Sequence, residues 1–422
     1  MQPPILISGY GWVSPLGNDA TTFDDNLFSG HCAVTTKRVE LRGQEAIDIA
    51  VAPCDFDHSK VLSPSKVPLD RGSAMAIRAA QDALVKAGLA HFSPNGAFTM
   101  TMNSLITQPE RVGVFWGSGM GGAFTFDQTA EQTYLHQKRI RPTNVITTMP
   151  CSASAELALL IQAQGACLTF SSACASSSVA IGEAMNALRS GRLDVALVGG
   201  SEAMLTQGVL SSWNALRVLA PAVEAPRACR PFNKDRNGFV LGEGAGAFVL
   251  ETLEHAKARQ ASRPLNHQIF LNGYATNCDA SHMTNPNPAG QARVMQSALK
   301  DAGFTADQIE YVNAHATGTT LGDAAEVHSV GEVFGAKPLI SSTKAQFGHL
   351  LGAGGALELI ATLRGMERGM VPPNANLDTP EESFKLNFVG RTGFDSPVRY
   401  VLTNSFAFGG TNASLVASLD KH

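Results

Sequence analysis

The stretch Ala166-Cys167-Leu168-Thr169-Phe170-Ser171-Ser172-Ala173-Cys174-Ala175-Ser176-Ser177-Ser178 decides how this chain is read. An apolar, strand-like run ends in small residues. A helix is expected directly after it, with Met185 and Leu188 continuing the apolar stripe to about Arg189 and Gly191 as the stop signal. Cys174 therefore falls at a strand-to-helix junction, where unpaired N–H groups and the positive end of the helix dipole favour a thiolate. A pKa below the free-cysteine value of about 8.5 is expected there. Taken alone, such a cysteine reads as a small buried hydrophobe. Two histidines and a lysine further along change that reading.

Composition narrows the class. The chain has 422 residues, 44% hydrophobic and 16% charged, so it can bury a large core as two or three units or one duplicated fold. Its 40 glycines imply many tight turns and close backbone approaches. A net charge of −4 argues against nucleic acid as a partner. No run of about 18 apolar residues suggests a membrane span, and the N-terminus lacks the layout of a signal peptide. The seven cysteines, Cys32, Cys54, Cys151, Cys167, Cys174, Cys229 and Cys278, are scattered and form no CxxC pair. They read as reduced thiols of a cytoplasmic protein, with neither a disulfide framework nor a zinc site.

Short apolar strands alternate with helical stretches, the pattern of a layered α/β protein. Strands are expected at 111–117, 194–200, 246–251, 268–274, 310–314, 338–342 and 399–402, with a helix over 291–303. The segment 261–264 is the best boundary, dividing the chain into halves 1–260 and 261–422. A strand followed by a reactive residue occurs in each half, Cys174 in the first and His315 in the second, which hints at internal duplication. The glycine-rich runs 117–122 and 242–246 do not fit the GxGxxG pattern that opens a helix in a βαβ unit, so they read as packing turns and imply no dinucleotide.

Three further segments carry chemistry: Asn313-Ala314-His315-Ala316-Thr317-Gly318-Thr319, Ser342-Thr343-Lys344-Ala345-Gln346-Phe347-Gly348-His349 and Asn404-Ser405-Phe406-Ala407-Phe408-Gly409-Gly410-Thr411-Asn412. With Arg230-Pro231-Phe232-Asn233 and the run 235–246, they make the chain resemble the β-ketoacyl-[acyl carrier protein] synthases, specifically the elongating group with a Cys-His-His triad. The resemblance implies a thiolase-like fold of two similar βαβαβαβ halves in five α-β-α-β-α layers. It also implies decarboxylative condensation of an acyl thioester with malonyl-[acyl carrier protein], in fatty acid or in type II polyketide or aryl polyene elongation.

By that resemblance Cys174 carries the acyl group, a thiolate being apt because thioester exchange is nearly balanced. His315 and His349 donate to the thioester oxygen as it becomes an enolate, and one such donor is commonly worth ~3 kcal/mol. The N–H groups of Cys174 and Phe408 would form the hole for the acyl oxyanion. Lys344 would organise the histidines, with Glu326 as its partner. Met120, Thr317, Thr319, Asn412, Thr143 and Asn144 are implied at the substrate, with Met120 against the mobile Phe408 and Thr143 and Asn144 reaching the acyl pocket across a dimer interface. Lys138, Arg139 and Arg217 match positions that dock the carrier. No bound cofactor or metal is implied, only substrates on the carrier's phosphopantetheine. The partners implied are an acyl carrier protein and a second subunit, identical or related.

Three features depart from the commonest family pattern. Ala407 replaces a usual glycine, which suggests a stiffer loop. Thr143 and Asn144 suggest a polar pocket floor suited to unsaturated or hydroxyaryl chains. Serines replace a Thr-Ala-Cys-Ala-Thr-Gly form around Cys174. A thiolase is a weak rival, because the last cysteine, Cys278, precedes His315. A non-catalytic partner subunit, like the chain-length factors of polyketide synthases, is the other alternative, although such subunits typically lack the nucleophile.

Overall fold

The structure is a computed structural model that describes residues 3–40, 45–101, 108–259 and 268–420. Ten strands form its frame. The first five are β1 (Ile5–Val13), β2 (Val112–Gly117), β3 (Cys167–Phe170), β4 (Val195–Glu202) and β5 (Gly244–Glu251). The second five are β6 (Gln268–Cys278), β7 (Tyr311–Asn313), β8 (Leu339–Ser341), β9 (Tyr400–Phe406) and β10 (Thr411–Asp420). The principal helices are α1 (Arg71–Lys86), α2 (Ser152–Ile161), α3 (Ser176–Arg189), α4 (Gln207–Ala215), α5 (Pro288–Ala302), α6 (Thr320–Phe334) and α7 (Gly354–Arg368).

The spatial order is β3-β2-β4-β5-β1-β6-β10-β9-β7-β8, with a two-residue strand, Asn387–Phe388, beyond β8. Read outward from the centre, the two halves are the same. In each, the first strand pairs antiparallel with the fifth and the fifth antiparallel with the fourth. The fourth then runs parallel to the second, and the second to the third. The halves meet at a short antiparallel seam, Ile5 opposite Leu271 and Leu6 opposite Phe270. The junction expected at 261–264 lies outside the described residues.

Helices α3 and α6 differ in place, and the reason is burial. α3 and α7 pack on each other and on strands of both halves, whereas α1 and α2 cover one outer face and α5 and α6 the other. That makes five layers. Strands covered on both faces read as unbroken apolar runs rather than alternating ones, as Val112–Gly117 does with every residue buried. The central crossing demands small residues: a Cβ on Gly355 would lie 2.0 Å from Ser178 Oγ, and one on Gly117 2.4 Å from Ser177 N. The serines after Cys174 meet that demand. Ser177 Oγ accepts the Ala356 N–H at 3.0 Å, and Ser178 Oγ lies 2.8 Å from Ser405 Oγ.

The shared topology corrects the expected duplication pairing. Cys174 follows the third strand of its half, whereas His315 follows the second strand of the other. The counterpart of Cys174 is thus the segment holding Lys344 and His349, after β8. His315 corresponds instead to the loop of Gly119 and Met120, after β2.

Candidate active site

Apart from Glu326, which lies within α6, the expected catalytic side chains sit beyond the carboxyl ends of parallel strands, where open α/β sheets place their clefts. Cys174 follows β3, His315 follows β7, Lys344 and His349 follow β8, and Phe408 follows β9. Cys174 occupies a tight 3-10 turn, Ala173–Ala175, just ahead of α3. Ala173 holds φ at +45°, a left-handed conformation unfavourable for an L-residue and of the kind that persists at functional sites. Ser176 locks this turn: its Oγ accepts the Ser172 N–H at 2.9 Å and donates to Ala173 O at 2.7 Å.

His349 Nε2 lies 3.0 Å from Cys174 Sγ, and the His315 and His349 rings stand edge to face at 5.3 Å. One donor atom from each of the three residues falls within 4.8 Å of the others. His349 is fixed by its main chain, donating to Val240 O at 2.6 Å and accepting the Gly242 N–H at 3.0 Å. This gives the 235–246 run its role. His315 is fixed by Glu326, whose carboxylate accepts the His315 N–H at 2.8 Å, the Ala316 N–H at 2.7 Å and an Asn404 amide N–H at 3.1 Å. Asp323 accepts N–H groups from Phe232 and Gly318, joining the 230–233 motif to the His315 loop.

Lys344 is fully buried, and its ion-pair partner is Glu358 on α7, not Glu326. The reason is that both Glu326 oxygens are already taken by the main chain around His315. Burial pushes Glu326 up to about 7 against those hydrogen bonds. Both histidines are held well below the usual imidazole range, first by burial and then by the Lys344 charge, and His315 also by His349. They are neutral at neutral pH.

The thiol departs from the sequence-based expectation. Burial pushes Cys174 up to about 12, although Lys344 and the N–H groups of Phe408 and of Cys174 itself pull the other way. Desolvation of the charged form outweighs the helix terminus here. The resting group is a thiol with a neutral imidazole in contact, so the proton must move as the sulfur attacks.

A cavity of about 420 Å³ opens onto this group. Of the expected substrate residues, Thr317, Thr319 and Asn412 line it, as does Arg217. The Thr317 and Thr319 hydroxyls are 3.1 Å apart, and the Asn412 amide donates to Asp279 at 2.7 Å. Met120, Thr143, Asn144, Lys138 and Arg139 are not part of that lining. Phe408 is 36% exposed and stacks on Trp213, while Met120, 47% exposed, donates its N–H to Glu202. The Asn144 amide donates to Thr129 Oγ1 at 2.8 Å, so within this chain it is not the unpaired floor group that a polar acyl pocket would need. Ala407 lies outside the left-handed region, and Gly409 and Gly410, at φ +86° and +78°, supply the turn. A Cβ at Ala407 therefore meets no backbone penalty.

Sequence reasoning missed Glu358, Trp213 and Glu202. A carboxylate inside the otherwise small and apolar run Gly354-Gly355-Ala356-Leu357-Glu358-Leu359-Ile360 was the available signal for the first. Glu202 accepts N–H groups from Gly119, Met120 and Gly352, fastening together the loops of the two halves.

The family models of the beta-ketoacyl synthase N-terminal and C-terminal domains match residues 2–256 and 269–378. The chain belongs to the β-ketoacyl synthase family. It is 35% identical to Nodulation protein E of Rhizobium meliloti, over 98% of this chain and 99% of that one. It is 34% identical to 3-oxoacyl-[acyl-carrier-protein] synthase 2 of Staphylococcus aureus, over 98% and 97%. Similar solved structures include a type II polyketide synthase acyl-carrier protein in complex with its ketosynthase bound to the hexaketide (TM-score 0.84, 27% identity, 99% of each chain). Another is the ishigamide ketosynthase/chain length factor (TM-score 0.85, 28% identity, 99% of each chain). Among the described residues, no helix is long and apolar enough to cross a membrane.

Proposed function

We propose that this chain condenses an acyl thioester with malonyl-[acyl carrier protein], releasing CO2 and forming a 3-oxoacyl-[acyl carrier protein]. The observation that carries this reading is the contact of a buried thiol with a neutral imidazole, with a second neutral imidazole beside them. As Cys174 attacks the acyl thioester, its proton passes to His349 and then to the departing pantetheine thiolate. The N–H groups of Cys174 and Phe408, which face the sulfur, stabilise the acyl oxyanion. In the second half-reaction the malonyl C–C bond breaks, and its electron pair forms an enolate whose oxygen accepts N–H bonds from His315 and His349. The enolate carbon attacks the acyl carbonyl, and Cys174 leaves as thiolate.

Phosphopantetheine enters as part of the substrate, along the cavity past Thr317 and Thr319. Lys138, Arg139 and Arg217 receive the acidic carrier, and the second subunit is a copy of this chain or a related one. The reaction belongs in the cytoplasm, in fatty acid or type II polyketide elongation. The chain-length-factor reading is the weaker one, because the nucleophile and both histidines are present and assembled.

The test is reconstitution with malonyl- and acyl-loaded carrier, followed by intact mass. The proposal expects a mass increment of one acyl group on Cys174, then its disappearance with CO2 release when malonyl carrier is added. A chain that neither acylates nor releases CO2 would refute it.

A further inference from the structure

The aromatic rings near the cavity form a connected series. Phe408 stacks on Trp213 with ring centroids 6.3 Å apart, and Trp213 stands edge to face against Phe239 at 5.6 Å. Phe239 stands edge to face against His349, also at 5.6 Å, and His349 touches the Cys174 sulfur. Trp213 projects from α4, outside the motifs, and packs against the apolar cluster that holds Cys174 and Phe239, with Ala407 beside it. Gly409 and Gly410 follow Phe408 in left-handed conformations, with their N–H groups bonded to Met283 O at 2.8 Å and Ala407 O at 3.1 Å, so main-chain bonds hold the turn while the Phe408 ring depends on its side-chain contacts. Trp213 supplies the ring contact that locates Phe408. Rings at these separations attract beyond their simple burial.

We propose that Trp213 is a positioning residue for acyl transfer, holding the Phe408 peptide and, through Phe239, the His349 ring on two sides of the Cys174 sulfur. This rests on the condensation reading above. His349 serves both half-reactions and is reached only through Phe239, whereas Trp213 stacks directly on Phe408, whose N–H serves the acyl oxyanion, so removal of Trp213 weighs on acylation more than on malonyl decarboxylation.

The test is single-turnover acylation of Cys174 by acyl carrier, set beside decarboxylation of malonyl carrier by the acyl-free enzyme. Trp213→Ala should slow acylation about tenfold with little change in the apparent KM, and decarboxylation by less than about threefold. Trp213→Phe, which keeps a ring, should return acylation to within about threefold of the parent. A second readout needs no loss of fold. The chain has three tryptophans, and Trp12 and Trp116 are buried in the core at 7% and 0% exposure. Acylation should therefore change the emission of the parent enzyme and leave that of Trp213→Phe unchanged. Undiminished acylation in Trp213→Ala, equal losses in both half-reactions, or no emission change in the parent would overturn the role of Trp213. A parent enzyme that never acylates would remove the condensation reading itself.

Discussion

The loops after β3 and after β8 occupy the same place in two copies of one topology, yet they do different chemistry. After β3, a strained 3-10 turn lifts one thiol at the head of α3. After β8, the segment instead buries a lysine and turns through Gly348, at φ +73°, to set His349 against that thiol. The central helices following these loops are packed on each other, which brings two distant segments into hydrogen-bond contact. The shared topology thus places two loops at one cleft, one of which carries the proposed nucleophile and the other the imidazole proposed to take its proton. The second-strand loops diverge the same way: His315 follows β7, whereas its counterpart region after β2 offers the Ser118 hydroxyl and the Gly119 and Met120 N–H groups to Glu202.

The sharpest way to break this division is to remove the charge from the β8 side. Lys344→Ala leaves Glu358 buried without a partner, which should destabilise the fold by about 3–5 kcal/mol. The melting temperature should fall by roughly 3–6 °C. Replacing both partners with apolar groups, Lys344→Met with Glu358→Leu, should restore most of the melting temperature without restoring activity. Lys344 also helps hold both imidazoles below their usual range, so its loss raises their pKa. Acylation needs His349 neutral to accept the thiol proton. Its acid limb should therefore move to higher pH in the double variant, and an unmoved limb would mean that Lys344 does not act on His349.

On the β3 side, a thiol pushed up to about 12 should alkylate slowly at neutral pH. Chloroacetamide labelling of Cys174, followed by peptide mapping, should speed up almost tenfold per pH unit between 7 and 9. A plateau already reached at pH 7 would show that the turn stabilises the thiolate after all. The smallest effect belongs to the surface. Lys138→Glu with Arg139→Glu should raise the apparent KM for carrier substrates several-fold, weaken its salt dependence and spare small pantetheine thioesters. Equal damage to both substrate types would remove the docking assignment.

Local rules made one side of this comparison legible. The strand ending before Cys174 and the helix ending at Arg189 follow from a short apolar run, an apolar stripe and Gly191. The segments holding His315, Lys344, His349 and Phe408 were legible because their residue types are constrained by chemistry. Facts that depend on three-dimensional neighbours were not. Lys344 lies closer in sequence to Glu358 than to Glu326, but its choice follows from the main chain claiming both Glu326 oxygens. The Cys174 pKa follows from desolvation, which a helix-terminus argument leaves out. Trp213 carries no motif, and its place is visible only once Phe408 and Phe239 stand on either side of it.

The central claim is the division of labour, and one paired measurement tests it most directly. Acyl transfer and malonyl decarboxylation are measured for Cys174→Ala and His315→Ala, with folding checked by melting temperature. Cys174→Ala should lose acyl transfer by a thousandfold or more, in the range of about 10³–10⁶ seen when a nucleophile is removed, while still releasing CO2. His315→Ala should acylate nearly as the parent does and decarboxylate about 10²–10³ times more slowly, the loss of one oxyanion donor. Equal loss of both activities in both folded variants would contradict the account.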